Sequence, residues 1–267
     1  MSAALDRAGL AHVPDPIVLD ITGSTNTDAL RIAEAGAAHL SVVAAREQTA
    51  GRGRLDREWI ASRDDCLMFS VVLRTPTYWT ADVIGWIPHI AGVAVAQACS
   101  DLGLRVALKW PNDVVVIGSG PDGSQLLRKL GGLLAQRVAD AVVVGVGLNV
   151  EMSQGQLPLE TATSFLAQGV PGVSQADLLA LSIANIAQLW DIQERWGRPG
   201  IAAEIRARYI ELSASIGQRV RVEQVSGDPL VGEAIDVDHL GRLVVVSVLG
   251  VSHAISVGDV VHLRNHK

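Results

Sequence analysis

The chain has 267 residues, 49 % apolar and 19 % charged, with a formal net charge of −6. That is enough apolar material for one large packed domain, or one plus a small one, and it excludes a disordered chain. The acidic balance argues against broad nucleic-acid binding, which leaves a basic footprint.

No run of about 18 uncharged apolar residues is expected to cross a membrane, and residues 1–14 show no basic-then-apolar leader, so a cytoplasmic protein is expected. Ile17–Ile21 predicts a short strand that runs into Gly23-Ser24-Thr25-Asn26. There Ser24 or Thr25 can cap a helix whose apolar residues continue through Leu30, Ile32 and Ala33. A cap and a ligand site are compatible, because a helix N-terminus offers unbonded N–H groups. Leu40–Ala45 predicts a buried strand that delivers Gln48.

Next comes Gly51-Arg52-Gly53-Arg54-Leu55-Asp56-Arg57-Glu58-Trp59. Its glycines allow close backbone approach, and its arginines present planar donors to carboxylate or phosphate oxygens. Such a mobile, donor-rich loop suits closure over an anion, although taken alone it is equally a solvated basic turn. Leu67–Arg74 predicts a strand with Cys66 at its start; Cys66 and Cys99, in apolar surroundings, read as buried thiols rather than a disulfide. Helical spacing between Trp86 and Leu102 predicts a core-facing helix, with His89 a core-edge residue lacking any partner at metal-ligand spacing.

Val106–Ile117 reads as two strands around a turn at Pro111-Asn112-Asp113. Gly118–Gly123 formally matches GxGxxG, but Pro121 interrupts it and Gly131-Gly132 would end any following helix. It reads as a flexible hairpin loop. Ala141–Val150 predicts a central strand carrying Gly145, Gly147 and Asn149. Helices are predicted over 175–196 and about 201–213, then short strands over Arg219–Val225, Gly232–Val237, Arg242–Leu249 and His253–Leu263, as in a small β-barrel. Residues 236–241 read as a plain turn, and the domain division falls at 1–214 and 215–267.

Several of these stretches together resemble the biotin protein ligases. Gly51–Trp59 matches that family's GRGR-x-x-R-x-W loop, and Lys109-Trp110-Pro111-Asn112-Asp113 matches a second motif residue for residue. Lys129-Leu130-Gly131-Gly132-Leu133-Leu134 is similar to a third; Ser24-Thr25-Asn26 and the Gly-x-Gly-x-Asn ending at Asn149 also match, so the resemblance covers nearly the whole chain. It implies an α+β fold: a mixed β-sheet catalytic domain packed with helices, like the class II synthetases, plus a small C-terminal SH3-like β-barrel. It implies activation of biotin by ATP as biotinyl-5′-AMP and transfer to a lysine of the biotin carboxyl carrier domain of an acyl-CoA or pyruvate carboxylase. Biotin and ATP with Mg²⁺ would be substrates, with no tightly bound cofactor and no dedicated metal ligands.

The resemblance assigns biotin to Ser24, Thr25, Asn26, Gln48, Gly51, Arg52, Gly53, Arg54, Lys129, Gly131 and Gly132. It assigns the nucleotide to Arg52, Arg54, Arg57, Trp59, Asn112, Asp113, Lys129 and Asn149, with Trp59 packing on adenine and Asp113 helping to place Mg²⁺. Lys129, Arg52 and Arg54 are the implied catalytic residues. Two departures stand out: Gln136 where the family generally has Glu, and the long connection at 118–123. Only 23 residues precede Ser24, too few for a winged helix, so DNA binding is not expected.

The residues themselves show no Walker A run, zinc spacing or nucleophile elbow. Chemistry resting on cations and glycines suits the joining of a carboxylate to an α-phosphate, two anions that must be positioned and neutralised. A lipoate or octanoate ligase, a biotin-responsive repressor and a non-catalytic biotin-binding module are the competing readings.

Overall fold

The computed structural model describes residues 2–10, 13–59, 63–120, 125–223, 228–256 and 258–263. The end of the expected 118–123 loop lies outside them. A short helix, α1 (Ser2–Arg7), precedes β1 (Ile17–Thr22), α2 (Thr25–Glu34), β2 (Val42–Gln48), β3 (Cys66–Arg74) and α3 (Ala81–Asp101). Then follow β4 (Ala107–Lys109), β5 (Asp113–Ser119), β6 (Gln125–Val138), β7 (Ala141–Asn149), α4 (Gln175–Trp196) and α5 (Ala203–Leu212). The first seven strands form one mixed sheet, ordered β1-β2-β3-β7-β6-β5-β4, parallel at β1–β2 and antiparallel elsewhere.

Alternation along the central strands sorts the two faces. Leu67, Phe69, Val71 and Leu73 of β3, with Val142, Val144, Val146 and Leu148 of β7, join the main core built with α3 and α4. On the other face Val72 and Val143 pack beneath Ala29 and Ala33 of α2. Beyond the N-terminus of α2 the same face becomes polar and glycine-rich, through Ser70, Gly145 and Gly147. That face is where the site forms.

Three of the expected elements differ in the structure. The 21-residue α3 is long and apolar enough to span a membrane, contrary to expectation, but 72 % of its apolar window is buried inside the protein, as befits a core helix. No strand is expected between the 118–123 loop and Ala141, and Gly131-Gly132 reads only as the end of a helix, yet the 14-residue β6 runs straight through the pair. A Cβ on Gly131 would stand 2.1 Å from the Gly147 carbonyl, so glycine there permits close approach of β7. Finally, the strand expected over His253–Leu263 is two, β11 (Ser252–Ile255) and β12 (Asp259–His262), which pair with different neighbours.

These two strands complete a five-stranded antiparallel sheet with β8 (Arg219–Glu223), β9 (Leu230–Val237) and β10 (Leu243–Ser247), ordered β11-β10-β9-β8-β12. This is the SH3-like C-terminal unit. The turn at 238–241, expected to be plain, docks it on α3. Trp86 Nε1 donates to the carbonyls of Asp238 and His239 at 3.2 and 3.1 Å, and His89 Nε2 lies 2.9 Å from the Gly241 carbonyl. A Cβ on Gly85 would stand 2.6 Å from the Leu240 carbonyl, so the turn rests on bare helix backbone.

Candidate active site

A cavity of about 640 Å³ opens on the polar face of the large sheet. Around it stand Ser24, Thr25 and Asn26 at the start of α2, Gln48 at the end of β2, and Arg52, Gly53, Arg54, Arg57 and Trp59 from the following loop. Asn112, Asp113, Lys129, Gly132 and Asn149 complete the expected set on its wall. Gly51 and Gly131 are not on that wall. Gly51 is buried beside Trp59, where a Cβ would stand 2.7 Å from the Trp59 carbonyl, and Gly131 is packed under β7.

Lys129 reaches the cavity because β6 is bulged. Val114 pairs with Gly131 and Val115 with Lys129, leaving Leu130 as the extra residue, buried in the core. Lys129 and Gly132 therefore share the cavity side. A Cβ on Gly132 would stand 3.3 Å from the Asn112 carbonyl and in ordinary contact, 3.5 Å, with Lys129 Cε and Asp113 Oδ1, so the lysine stem passes directly over this glycine. Lys129 Nζ meets Asp113 Oδ1 at 2.6 Å. Backbone bonds with Thr161 and Thr163 tie the lysine to the segment that covers it.

At the other end Ser24, Thr25 and Asn26 are nearly buried, at 4–6 % exposure. Ser24 is the N-cap of α2, but its side chain makes no cap bond, contrary to the simplest expectation for it. Gln48 Oε1 accepts from the Thr25 backbone N–H at 2.7 Å. Gly145 has no side chain because Asn26 occupies that space: a Cβ would stand 2.2 Å from Asn26 Oδ1.

The Gly51–Trp59 run, expected as a mobile loop, closes into a small hairpin. Arg52 and Glu58 form an isolated antiparallel bridge, Trp59 N donates to Gly51 O at 2.9 Å, and Leu55 sits at φ 55°. Trp59 leans on the bare backbone of Gly147, where a Cβ would stand 2.7 Å from its ring, and clusters with Cys66, Met68 and Met152. Its indole N–H is buried and has no hydrogen-bond partner among the described residues. Asn112 and Asn149 line the cavity, yet each anchors a wall: Asn112 Nδ2 donates to Leu133 O and Asn149 Nδ2 to Thr163 O, both at 2.8 Å. Burial raises the Cys66 thiol to about 12, so it is inert packing behind Asn149.

Several wall residues carried no expectation. Lys109 adds a further cation, although the sequence reading quoted it only as part of a motif. Burial, aided by the Lys109 charge, pushes His262 down to about 4. Pro158, Leu159, Thr161 and Ala162, and Val260 and Val261 of the C-terminal unit, also reach the cavity. Asp113 and Glu58 are the carboxylates on its wall, and among the described residues no cluster of three or more metal-type ligands exists.

The family model described as "Biotin/lipoate A/B protein ligase family" matches residues 18–152, and the "Biotin protein ligase C terminal domain" matches 215–263. A biotin–[acetyl-CoA-carboxylase] ligase of Mycobacterium tuberculosis is 39 % identical, the match covering 91 % of this chain and 87 % of that protein. The chain belongs to the biotin/lipoate protein ligase family. Another of its biotin–[acetyl-CoA-carboxylase] ligases, from Paracoccus denitrificans, is 30 % identical over 74 % of this chain and 81 % of its own length. The fold agrees with that of a biotin protein ligase from Aquifex aeolicus in complex with biotin and ATP, with a TM-score of 0.74 at 23 % identity, covering 94 % of this chain and 99 % of that one.

Proposed function

We propose that this chain is a biotin protein ligase, which activates biotin with ATP and transfers it to a lysine of a biotin carboxyl carrier domain. The observation that carries the reading is Lys129, held over Gly132 in the same cavity as the Thr25–Asn26 corner and the arginine hairpin. In the first step a biotin carboxylate oxygen attacks the ATP α-phosphorus, the bond to the β-phosphate bridging oxygen breaks, and pyrophosphate leaves. In the second, the neutral ε-amine of the carrier lysine attacks the carbonyl of the mixed anhydride, AMP leaves, and the amine proton passes to water.

Both reactants of the first step are anions, so positioning and neutralisation are what the protein must supply. In this reading Lys129 bridges the carboxylate and the α-phosphate, Arg52, Arg54 and Arg57 fold over the adenylate, and Asn112 and Asn149 fix the wall behind it. Trp59 offers an apolar ring and an unused N–H donor to the nucleotide. A single carboxylate such as Asp113 suits Mg²⁺ that arrives on ATP phosphates and keeps most of its waters. The acceptor we assign is the carrier domain of an acyl-CoA or pyruvate carboxylase. A closed hairpin would also shield the anhydride from water.

The deciding experiment is ATP–pyrophosphate exchange with biotin, lipoate and octanoate run in parallel. Exchange with biotin alone is expected. Exchange driven by lipoate or octanoate would move the protein to the other branch of its family, and silence with all three in folded protein would leave a binding module.

A further inference from the structure

The polar corner of the cavity has a fixed hydrogen-bond polarity that can be read from its partners. Asn26 Nδ2 lies 3.2 Å from the Leu134 carbonyl and 2.7 Å from Gln136 Oε1. A carbonyl only accepts, so the nitrogen of Asn26 must face Leu134, and both its hydrogens are then committed. Gln136 must accordingly present its oxygen, as a glutamate would. Asn26 Oδ1 is left facing the Ser70 hydroxyl at 2.8 Å.

Ser70 also lies 2.9 Å from Thr25 Oγ1, so one hydroxyl hydrogen is shared between two acceptor atoms. The Thr25 hydroxyl hydrogen goes to Gln48 Oε1 at 3.1 Å. Thr25 Oγ1 and Asn26 Oδ1 therefore keep lone pairs and have no spare hydrogen between them. Ser70 is fully buried, so water does not make up the deficit from that side. A ligand completes this corner by turning N–H groups toward these two oxygens, and one that turns a carbonyl toward them meets repulsion.

We propose that Gln136 and Ser70 are positioning residues that turn the Thr25–Asn26 corner into an acceptor-only surface selecting the N–H groups of a cyclic urea. The proposal rests on the biotin reading above and deepens it. Neither residue touches the ligand; they act by fixing which end of Asn26 faces the cavity. An acceptor oxygen is all that this role requires of position 136, and Gln136 supplies it.

Biotin-dependent ATP–pyrophosphate exchange by the full chain tests this, using biotin and biotin methylated on a ureido nitrogen. Gln136→Met deletes the acceptor and keeps the side-chain length, whereas Gln136→Glu keeps an acceptor. The methionine variant is expected to raise KM for biotin roughly three- to tenfold, more than it lowers kcat, and to narrow the preference for biotin over the methylated form. The glutamate variant is expected to restore both. An unchanged preference in Gln136→Met, or a Gln136→Glu variant equally impaired, overturns the proposal. Should Gln136→Met fail to fold, Ser70→Ala is read by the same two measures. Wild-type protein that shows no exchange with biotin would instead sink the ligase reading itself, an outcome separate from any variant's.

Discussion

Lys129 Nζ and Asp113 Oδ1 stand 2.6 Å apart across the bulged β5–β6 pair, so the cation assigned to the reacting phosphate is paired with a carboxylate of the same cavity. Removing the lysine leaves that carboxylate facing two further anions. Lys129→Ala is expected to lower biotin-dependent pyrophosphate exchange by about 10²–10³-fold, the magnitude typical of deleting one electrostatic donor to a developing charge. Near-normal exchange would refute the assignment. Asp113→Asn keeps the shape and should raise the Mg²⁺ concentration needed for half-maximal exchange.

The arginine hairpin has a different task. Its backbone is closed by the Arg52–Glu58 bridge, and Arg54 and Arg57 both reach the cavity. Arg54→Gly is expected to leave adenylate formation measurable while speeding escape of biotinyl-5′-AMP into solution. Release timed by rapid filtration would check it, and an off-rate equal to wild type would rule out retention by this residue.

Ser24–Asn26 and Asn149 were legible because they sit on elements with strong local signatures, a helix start after Gly23 and the buried apolar run of β7, whereas Lys129 and the Gly51–Trp59 run were legible only through their motifs. What the sequence hid is long-range. Gly131-Gly132 looks like a breaker until β7 is placed against it, since the reason for glycine is a carbonyl sixteen residues along at Gly147. Lys109 at the end of β4, the 158–162 segment bridged to Lys129 at Ala162, and Val261 of the second sheet reach the cavity through tertiary packing, which no local period encodes. The polarity of Asn26 was equally invisible, because its partners at 70, 134 and 136 come from other strands.

The cavity glycines give a graded test of that packing. A methyl on Gly145 would stand 2.2 Å from Asn26 Oδ1 and one on Gly147 2.7 Å from the Trp59 ring, whereas Gly155 has nothing within 4 Å. Gly145→Ala is expected to raise KM for biotin more than tenfold by evicting Asn26, in line with a lost buried hydrogen-bond set of about 1.5–3 kcal/mol. Gly147→Ala should act mainly on KM for ATP by displacing Trp59, and Gly155→Ala should match wild type. Calorimetric titration with biotin separates Gly145→Ala from the other two and the KM for ATP separates Gly147→Ala from Gly155→Ala; full biotin affinity in Gly145→Ala would contradict the placement of Asn26.

Acid should loosen the seating of the C-terminal unit. His89 is packed edge-on against Trp86 and Tyr209, with ring centroids 5.2 and 4.6 Å away, and bonds the Gly241 carbonyl that also accepts from Trp110 Nε1 at 3.1 Å. Burial lowers its pKa from 6.5 to about 4, against a smaller upward pull from the Gly241 bond. Between those values the unfolded chain binds more protons than the folded one, so this contribution is intact above pH 6.5 and is lost as pH falls toward 4. The loss from His89 is on the order of 2–3 kcal/mol. His39 and His262, lowered mainly by burial, act in the same direction. Because Trp110 adjoins the Asn112–Asp113 turn, pyrophosphate exchange should fail in step with the docking. His89→Gln keeps an N–H donor and cannot titrate there, so its melting temperature should fall less steeply over this pH range; a slope equal to wild type would show that His89 is not the acid-sensitive group.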